Sequence, residues 1–256
     1  MATSFEEVRL LGPPSADGEY VALGDDDIVH LHDYTRIYAV PGLYEHVVQG
    51  QLRCRSPQVA ADGFLRAAAR VGSPASSITV LDVGAGTGLV GERLVRGGVK
   101  RVVGVDALPA ARTACLRDRP GVYADYLIGD LASDDASVEL REALSNHRLG
   151  GLVSAGAFGG THAPPAALIN ALALLPQSAP VALTIDERWM DKSDPHGFGS
   201  EVERLVDRGD LNVLERTRFR HRITTTGEPI FYELLTGTTG LVKDPRRPPL
   251  PCARPR

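Results

Sequence analysis

Cysteine is scarce in this chain: Cys54, Cys115 and Cys252 are the three thiols among 256 residues. Their odd number and wide spacing speak against a disulfide framework or a cysteine-based metal site, and point to a reducing cytoplasm. Long apolar runs are also missing, so no membrane span is expected. The first residues, Met1 to Glu7, carry neither a basic stretch nor an apolar one, so no secretory signal is expected. Positive charge is not in excess: 28 Lys and Arg stand against 32 Asp and Glu, a net charge of −4. Nothing in that balance draws the protein to nucleic acid or to an anionic membrane. No internal repeat is visible beyond an alternation of strand-like and helix-like stretches.

What is present is length enough for one sizeable core plus a cap. The organising stretch is Val80-Leu81-Asp82-Val83-Gly84-Ala85-Gly86-Thr87-Gly88. A β-branched apolar run stops at three alternating glycines, and Leu89 to Val95 follows with helical spacing. Strand, tight turn and helix in that order put free N–H groups and a partial positive charge at a ligand-accessible corner. Gly86-x-Gly88-x-x-Gly91, with Asp106 downstream, also fits a dinucleotide fingerprint. Asp82 separates the two readings: it would repel a pyrophosphate and attract a cationic ligand.

Residues 1–24 contain Gly12-Pro13-Pro14 and are expected to be a loose arm. Residues 25–75 are predicted as a helical cap: one helix from the acids at Gly24–Asp27 to Pro41, a second from Leu43 to about Leu52, a third opened by Ser56-Pro57. Three His and three Tyr fall between His30 and His46, out of seven of each in the chain. They either pack amphipathically against the core or wall a ligand. His30-x-His32-Asp33 hints at a metal site, but residues two apart do not share a helix face, so no metal is expected. Residues 76–240 alternate strands and helices. Asp82, Asp106 and Asp130 recur every 24 residues, about one strand-helix crossover, which brings all three to one carboxyl edge of a parallel sheet. Further strands are predicted near residues 151–156 and 180–185, then a helix over Glu201–Arg208 and two antiparallel strands, Leu211–Ile223 and Ile230–Leu235. Arg216, Arg218, Arg220 and Arg222 alternate on the first of these. On a strand they would share a face, either guarding an exposed edge or forming a phosphate stripe. Residues 241–256 are Pro/Arg-rich and expected to be disordered.

The Asp82-x-Gly84-x-Gly86-x-Gly88 pattern resembles motif I of class I S-adenosylmethionine (SAM) methyltransferases. Gly121-Val122-Tyr123 to Leu131, Gly156-Ala157-Phe158 to Pro165, and Phe231 to Leu235 are similar to the Williams–Beuren syndrome critical region methyltransferase-like group and its small bacterial relatives. The resemblance covers roughly residues 30–240. It implies an α/β fold, a seven-stranded Rossmann-like sheet, mostly parallel with an antiparallel terminal hairpin, and an N-terminal helical cap. It also implies SAM as cofactor and S-adenosylhomocysteine as product. Asp82, Gly84, Ala85, Gly86 and Gly88 would face the methionine end, Asp106 the ribose, Leu108 and Leu131 the adenine, and Asp130 its amino group, with Ala107 also cofactor-binding. Ala155 would be a further cofactor-binding residue, and Arg55, in Cys54-Arg55-Ser56-Pro57, would pair with the methionine carboxylate.

The implied chemistry is in-line methyl transfer to a small molecule. A base is needed only where the acceptor has a proton to lose; His162 and Glu187 are the candidates, with Tyr38 as a third catalytic candidate from the cap. No Asp/Asn-Pro-Pro-aromatic motif for DNA amino-methylation and no acid cluster for a magnesium site is present. The alternatives are another use of SAM on the same fold, such as its cyclisation, a non-catalytic SAM-binding subunit, or a nicotinamide oxidoreductase. A monomer and a homodimer are both compatible with the sequence.

Overall fold

The computed structural model describes residues 5, 8–12, 18–24, 27–133, 137–160, 162–191 and 193–240. The chain begins with three short strands, β1 (Val8–Leu11), β2 (Tyr20–Leu23) and β3 (Asp27–His30), paired antiparallel in the order β1-β2-β3. This differs from the expected arm and first helix. Ile28 and Val29 are a β-branched pair, and Gly24 (φ +78) lets the chain turn back so that Leu23 faces Asp27. Helix α1 (Tyr34–Ala39) starts later, where the Asp33 side chain accepts from the Arg36 N–H. A π-helical turn, Glu45–Gln51, follows, then α2 (Ser56–Arg70) with Pro57 in its first turn.

The remaining elements are β4 (Thr79–Val83), α3 (Leu89–Arg96), β5 (Arg101–Asp106), α4 (Pro109–Asp118), β6 (Asp125–Ile128), α5 (Ser137–Ser145), β7 (Leu149–Ala155), α6 (Pro165–Ala173), β8 (Pro180–Asp186), α7 (Phe198–Asp207), β9 (Leu211–Ile223) and β10 (Pro229–Thr239). The sheet runs β6-β5-β4-β7-β8-β10-β9; the first five strands pair parallel, and β10 pairs antiparallel with both β8 and β9, which gives the expected antiparallel terminal hairpin. Helix α5 was not anticipated. The expected disorder of residues 241–256 lies outside the described residues.

Both faces of the sheet are covered. Ala60, Ala61, Phe64 and Ala68 recur every three to four residues along α2 and pack with Val80, Val153, Ala182 and Leu234, so this helix forms part of the core layer. Phe64 lies against Gly151, where a Cβ would meet its ring at 2.6 Å. The opposite face is filled by α6 and α7 residues, among them Leu168, Leu172, Phe198 and Val202. The N-terminal segment packs on α4 through Ile37, Leu43, Ala111 and Ala114. It is also tied to the far sheet edge. Glu19, fully buried, accepts from Arg222 at 2.5 and 3.1 Å and from the Thr225 N–H at 2.7 Å.

Strand β9 is an edge strand, but its four arginines do not share one face. The register slips between Ile230 and Phe231, which face Arg222 and Arg220, leaving His221 as the extra residue. Arg222 therefore turns into the buried pair with Glu19, whereas Arg218 stays outside on Glu187 and over the Phe231 ring.

Candidate active site

The glycine turn leaves β4 with left-handed backbone at Gly84 (φ +70), Gly86 (φ +53) and Gly88 (φ +92). A Cβ on Gly84 would overlap that of Ala157, and one on Gly86 would stand 3.1 Å from the Tyr38 hydroxyl. The loop is held from below by Asp106, whose carboxylate accepts from the Gly86 and Leu108 N–H groups, each at 2.9 Å. Burial raises the Asp106 pKa, and those backbone donors partly offset the rise. The Tyr126 hydroxyl donates to the Gly86 carbonyl at 2.7 Å. From the cap side, Glu45 accepts from the Thr87 hydroxyl and from Arg119, both at 2.7 Å, while Arg119 also donates to the Thr87 carbonyl. The π-helical turn is thus latched directly to the loop.

A cavity of about 400 Å³ opens over this loop at the carboxyl ends of β4 to β7. It brings together the expected Gly84, Ala85, Gly86, Asp106, Ala107, Leu108, Asp130, Leu131, Ala155, His162 and Tyr38. No Lys or Arg lines it among the described residues. Asp130 lies at the mouth, with one oxygen accepting from the Ala132 N–H. His162 is surrounded by rings: His32 at 5.7 Å, Trp189 at 5.8 Å and Tyr34 at 6.3 Å between centroids. Burial lowers its pKa, against an opposing pull from Asp186. The ring is therefore neutral at pH 7.

Four expected residues do not line the cavity: Arg55, Asp82, Gly88 and Glu187. Arg55 is exposed; its backbone N–H, not its guanidinium, makes the tie, to the His221 carbonyl at 2.7 Å. Glu187 is occupied by Arg218 at 2.5 and 3.0 Å. Gly88 caps α3 behind the turn. Asp82 is fully buried beneath the loop. Its Oδ2 accepts from the Tyr123 hydroxyl at 2.7 Å, and its Oδ1 has no partner among the described residues. Burial pushes its pKa up to about 7, with Tyr123 pulling it down and the Asp106 charge adding to the rise. Gly91, which completed the dinucleotide-like spacing, serves Tyr123 instead: a Cβ there would stand 2.5 Å from the Tyr123 ring.

Tyr34, Tyr44, Thr87, Gly129 and Gly156 also line the cavity. The concentration of tyrosines between Tyr34 and Tyr44 was the sequence signal for the first two. His46 instead stacks on Phe5 at 4.6 Å and does not reach the cavity. Among the described residues no group of His, Cys, Asp and Glu is placed to hold a metal ion, and no helix is long and apolar enough to cross a membrane.

No protein-family model and no curated protein sequence matches the chain. Solved structures do. A provisionally assigned RNA methyltransferase of Pyrococcus horikoshii is 20% identical, with a TM-score of 0.51, over 73% of this chain and 88% of that one. The Burkholderia thailandensis 1,6-didemethyltoxoflavin-N1-methyltransferase, solved with 1,6-didemethyltoxoflavin and S-adenosylhomocysteine, is 16% identical. It also has a TM-score of 0.51, over 91% of this chain and 99% of that one. With its sheet order, its glycine turn after the first parallel strand and these neighbours, the chain has the fold of the class I methyltransferases.

Proposed function

We infer that the protein is a SAM-dependent methyltransferase of the cytoplasm acting on a small-molecule acceptor, with S-adenosylhomocysteine as product. The observation that carries this reading is the 400 Å³ cavity with a glycine turn on one side, Asp106 and Asp130 on the other, and no cation in its described lining. A nicotinamide dinucleotide would set its pyrophosphate among acids; a zwitterionic sulfonium compound would not suffer that repulsion. The cavity volume is within the range of cofactor sites.

The donor set fits SAM. Asp106, oriented by two backbone N–H groups, keeps lone pairs for ribose hydroxyls. Leu108 and Leu131 offer apolar faces to adenine, and Asp130 can accept from its amino group. Backbone at Gly84–Thr87, free of Cβ obstruction at two positions, suits the methionine end. When bound, SAM supplies a methyl group on an activated sulfonium, so the chain's task is to align the acceptor and exclude water. Tyr34, Tyr38 and Tyr44 form the wall that does so. His162, neutral at pH 7, can take a proton from an acceptor O–H or N–H. Asp82 acts as a positioning residue beneath the turn, through Tyr123.

A non-methylating use of SAM and a non-catalytic SAM-binding subunit share the same cofactor site; the neutral His162 at the cavity wall favours turnover. The Burkholderia neighbour is described for 1,6-didemethyltoxoflavin and the Pyrococcus neighbour for RNA. The net charge of −4 favours the first kind of acceptor. The quoted stretches keep the Williams–Beuren-like subgroup as the finer assignment. Thermal denaturation tests the reading. SAM at 100 times its Kd should add about 2.7 kcal/mol of stability, and NAD none. Stabilisation by NAD alone would replace this reading with the oxidoreductase.

A further inference from the structure

A second, smaller chamber of about 100 Å³ adjoins the cofactor cavity. The two share Tyr34, Tyr44, Pro57, Ala155, Gly156 and His162. Beyond that shared neck, the walls come from chain segments far apart in sequence: His32, Cys54, Asp186, Trp189, His221 and Tyr232. The sheet edge, the cap and the turn after β8 all contribute to it.

Three properties restrict what can enter. The first is size. A cavity of ~150 Å³ accommodates benzene, so this chamber is on the scale of a single ring. The second is shape. His221 lies flat on Tyr232, 3.8 Å between centroids with planes 12° apart, and the rings of His32, Tyr34 and Trp189 surround His162. Such walls suit a planar guest.

The third is charge. Asp186 is held by Arg188, whose guanidinium and backbone nitrogens lie 2.9–3.2 Å from its carboxylate. Arg222 is held by Glu19. His221 is buried, its pKa lowered well below the ordinary value first by that burial and then by the Arg222 and His32 charges. Asp186 and Arg222 thus have their counter-charges, and the His162 and His221 rings are neutral. An ion entering the chamber would lose its hydration without gaining a partner. Neutral hydrogen-bonding groups would find partners: the Ser56 hydroxyl, 2.6 Å from His221 Nδ1, the second nitrogen of that ring, and the Tyr34, Tyr44 and Tyr232 hydroxyls.

We propose that this second chamber is the acceptor subsite and that it takes the uncharged, single-ring end of an aromatic acceptor bearing hydrogen-bonding substituents. The assignment rests on the transferase reading above and adds the acceptor's class to it. His162, in the neck common to both chambers, then stands where the guest ring meets the cofactor.

The test uses full-length protein saturated with S-adenosylhomocysteine and three matched probes: 3-hydroxybenzamide, 3-hydroxybenzoate and 3-hydroxybenzylamine. They share one ring and one hydroxyl and are neutral, anionic and cationic at pH 7.5. Ligand-observed NMR titration should give at least tenfold tighter binding for the neutral ring than for either ion. Trp189→Ala should weaken that binding at least fivefold. Arg188→Gln, which leaves Asp186 without its counter-charge, should raise affinity for 3-hydroxybenzylamine at least fivefold, a gain that misfolding cannot imitate. The proposal is overturned if either ion binds the wild-type protein as well as the amide, if the amide does not bind the loaded protein, or if Arg188→Gln leaves the affinity for 3-hydroxybenzylamine unchanged. Each of those results leaves the transferase reading standing. Failure of S-adenosylhomocysteine itself to bind would instead remove the transferase reading, and the subsite with it.

Discussion

Asp82→Asn should change how stability depends on pH, and the size of the change follows from where the carboxyl sits. Asp82 is fully buried, one oxygen on the Tyr123 hydroxyl and the other unpartnered. Its folded pKa of about 7 stands well above the ordinary carboxyl value of 3.8. A raised folded pKa means that the native state holds a proton which the unfolded chain has released. Stability is therefore highest below the unfolded pKa and is lost as pH rises towards the folded one. At 1.36 kcal/mol per unit, the full cost of ionising Asp82 in place is about 4 kcal/mol, of which about 3 kcal/mol develops between pH 4.5 and pH 8. Asparagine removes the titration. It keeps an acceptor for Tyr123 but leaves an amide N–H to satisfy, at a cost of ~1–3 kcal/mol at every pH. Urea denaturation at pH 4.5 and pH 8 should thus show the variant less stable than wild type at the lower pH and equal or more stable at the higher one. The difference between the proteins should shift by about 3 kcal/mol, since other groups titrate alike in both. Parallel stability curves for the two proteins would refute the reasoning.

Three further outcomes are expected. Glu19→Ala leaves the buried Arg222 charge and the Thr225 N–H without their partner, and should cost ~3–5 kcal/mol by urea denaturation. NMR titration of the His162 imidazole should give a midpoint below 6.5, and Asp186→Asn should lower it further because the Asp186 charge opposes the burial effect; a midpoint above 6.5 would contradict the burial effect. Amide exchange over residues 43–52 should slow when SAM binds, and Glu45→Ala should abolish that slowing, because Glu45 joins the π-helical turn to Thr87 and Arg119.

The parts of this molecule that were legible in the sequence are those determined locally. The glycine turn, the strand ending at Asp106 and the 24-residue recurrence of acids placed the cavity, because a strand-helix crossover has a nearly fixed length. What failed to show was set by distant partners. Asp82 looked like a ligand group because of its position before the glycines; its burial follows from Tyr123, 41 residues on. Arg222 looked like a member of an exposed stripe, and one extra residue at His221 turned it inward to a glutamate 203 residues away. Glu187 follows a strand at the correct edge but is captured by Arg218 on β9. Strands β1 to β3 are four residues each, too short for an alternation pattern to outweigh the helical spacing that runs on into α1. The second chamber draws on segments from residue 31 to residue 232 and leaves no local trace.

The central claim is that Asp106 and the glycine turn hold SAM. Isothermal titration calorimetry of the full-length protein tests it most directly. SAM should bind at one site per chain, and Asp106→Ala should weaken binding by on the order of 1–3 kcal/mol, the loss of charge-assisted hydrogen bonds from the ribose. No heat on adding SAM to the wild-type protein, or the same affinity in the variant, would contradict it.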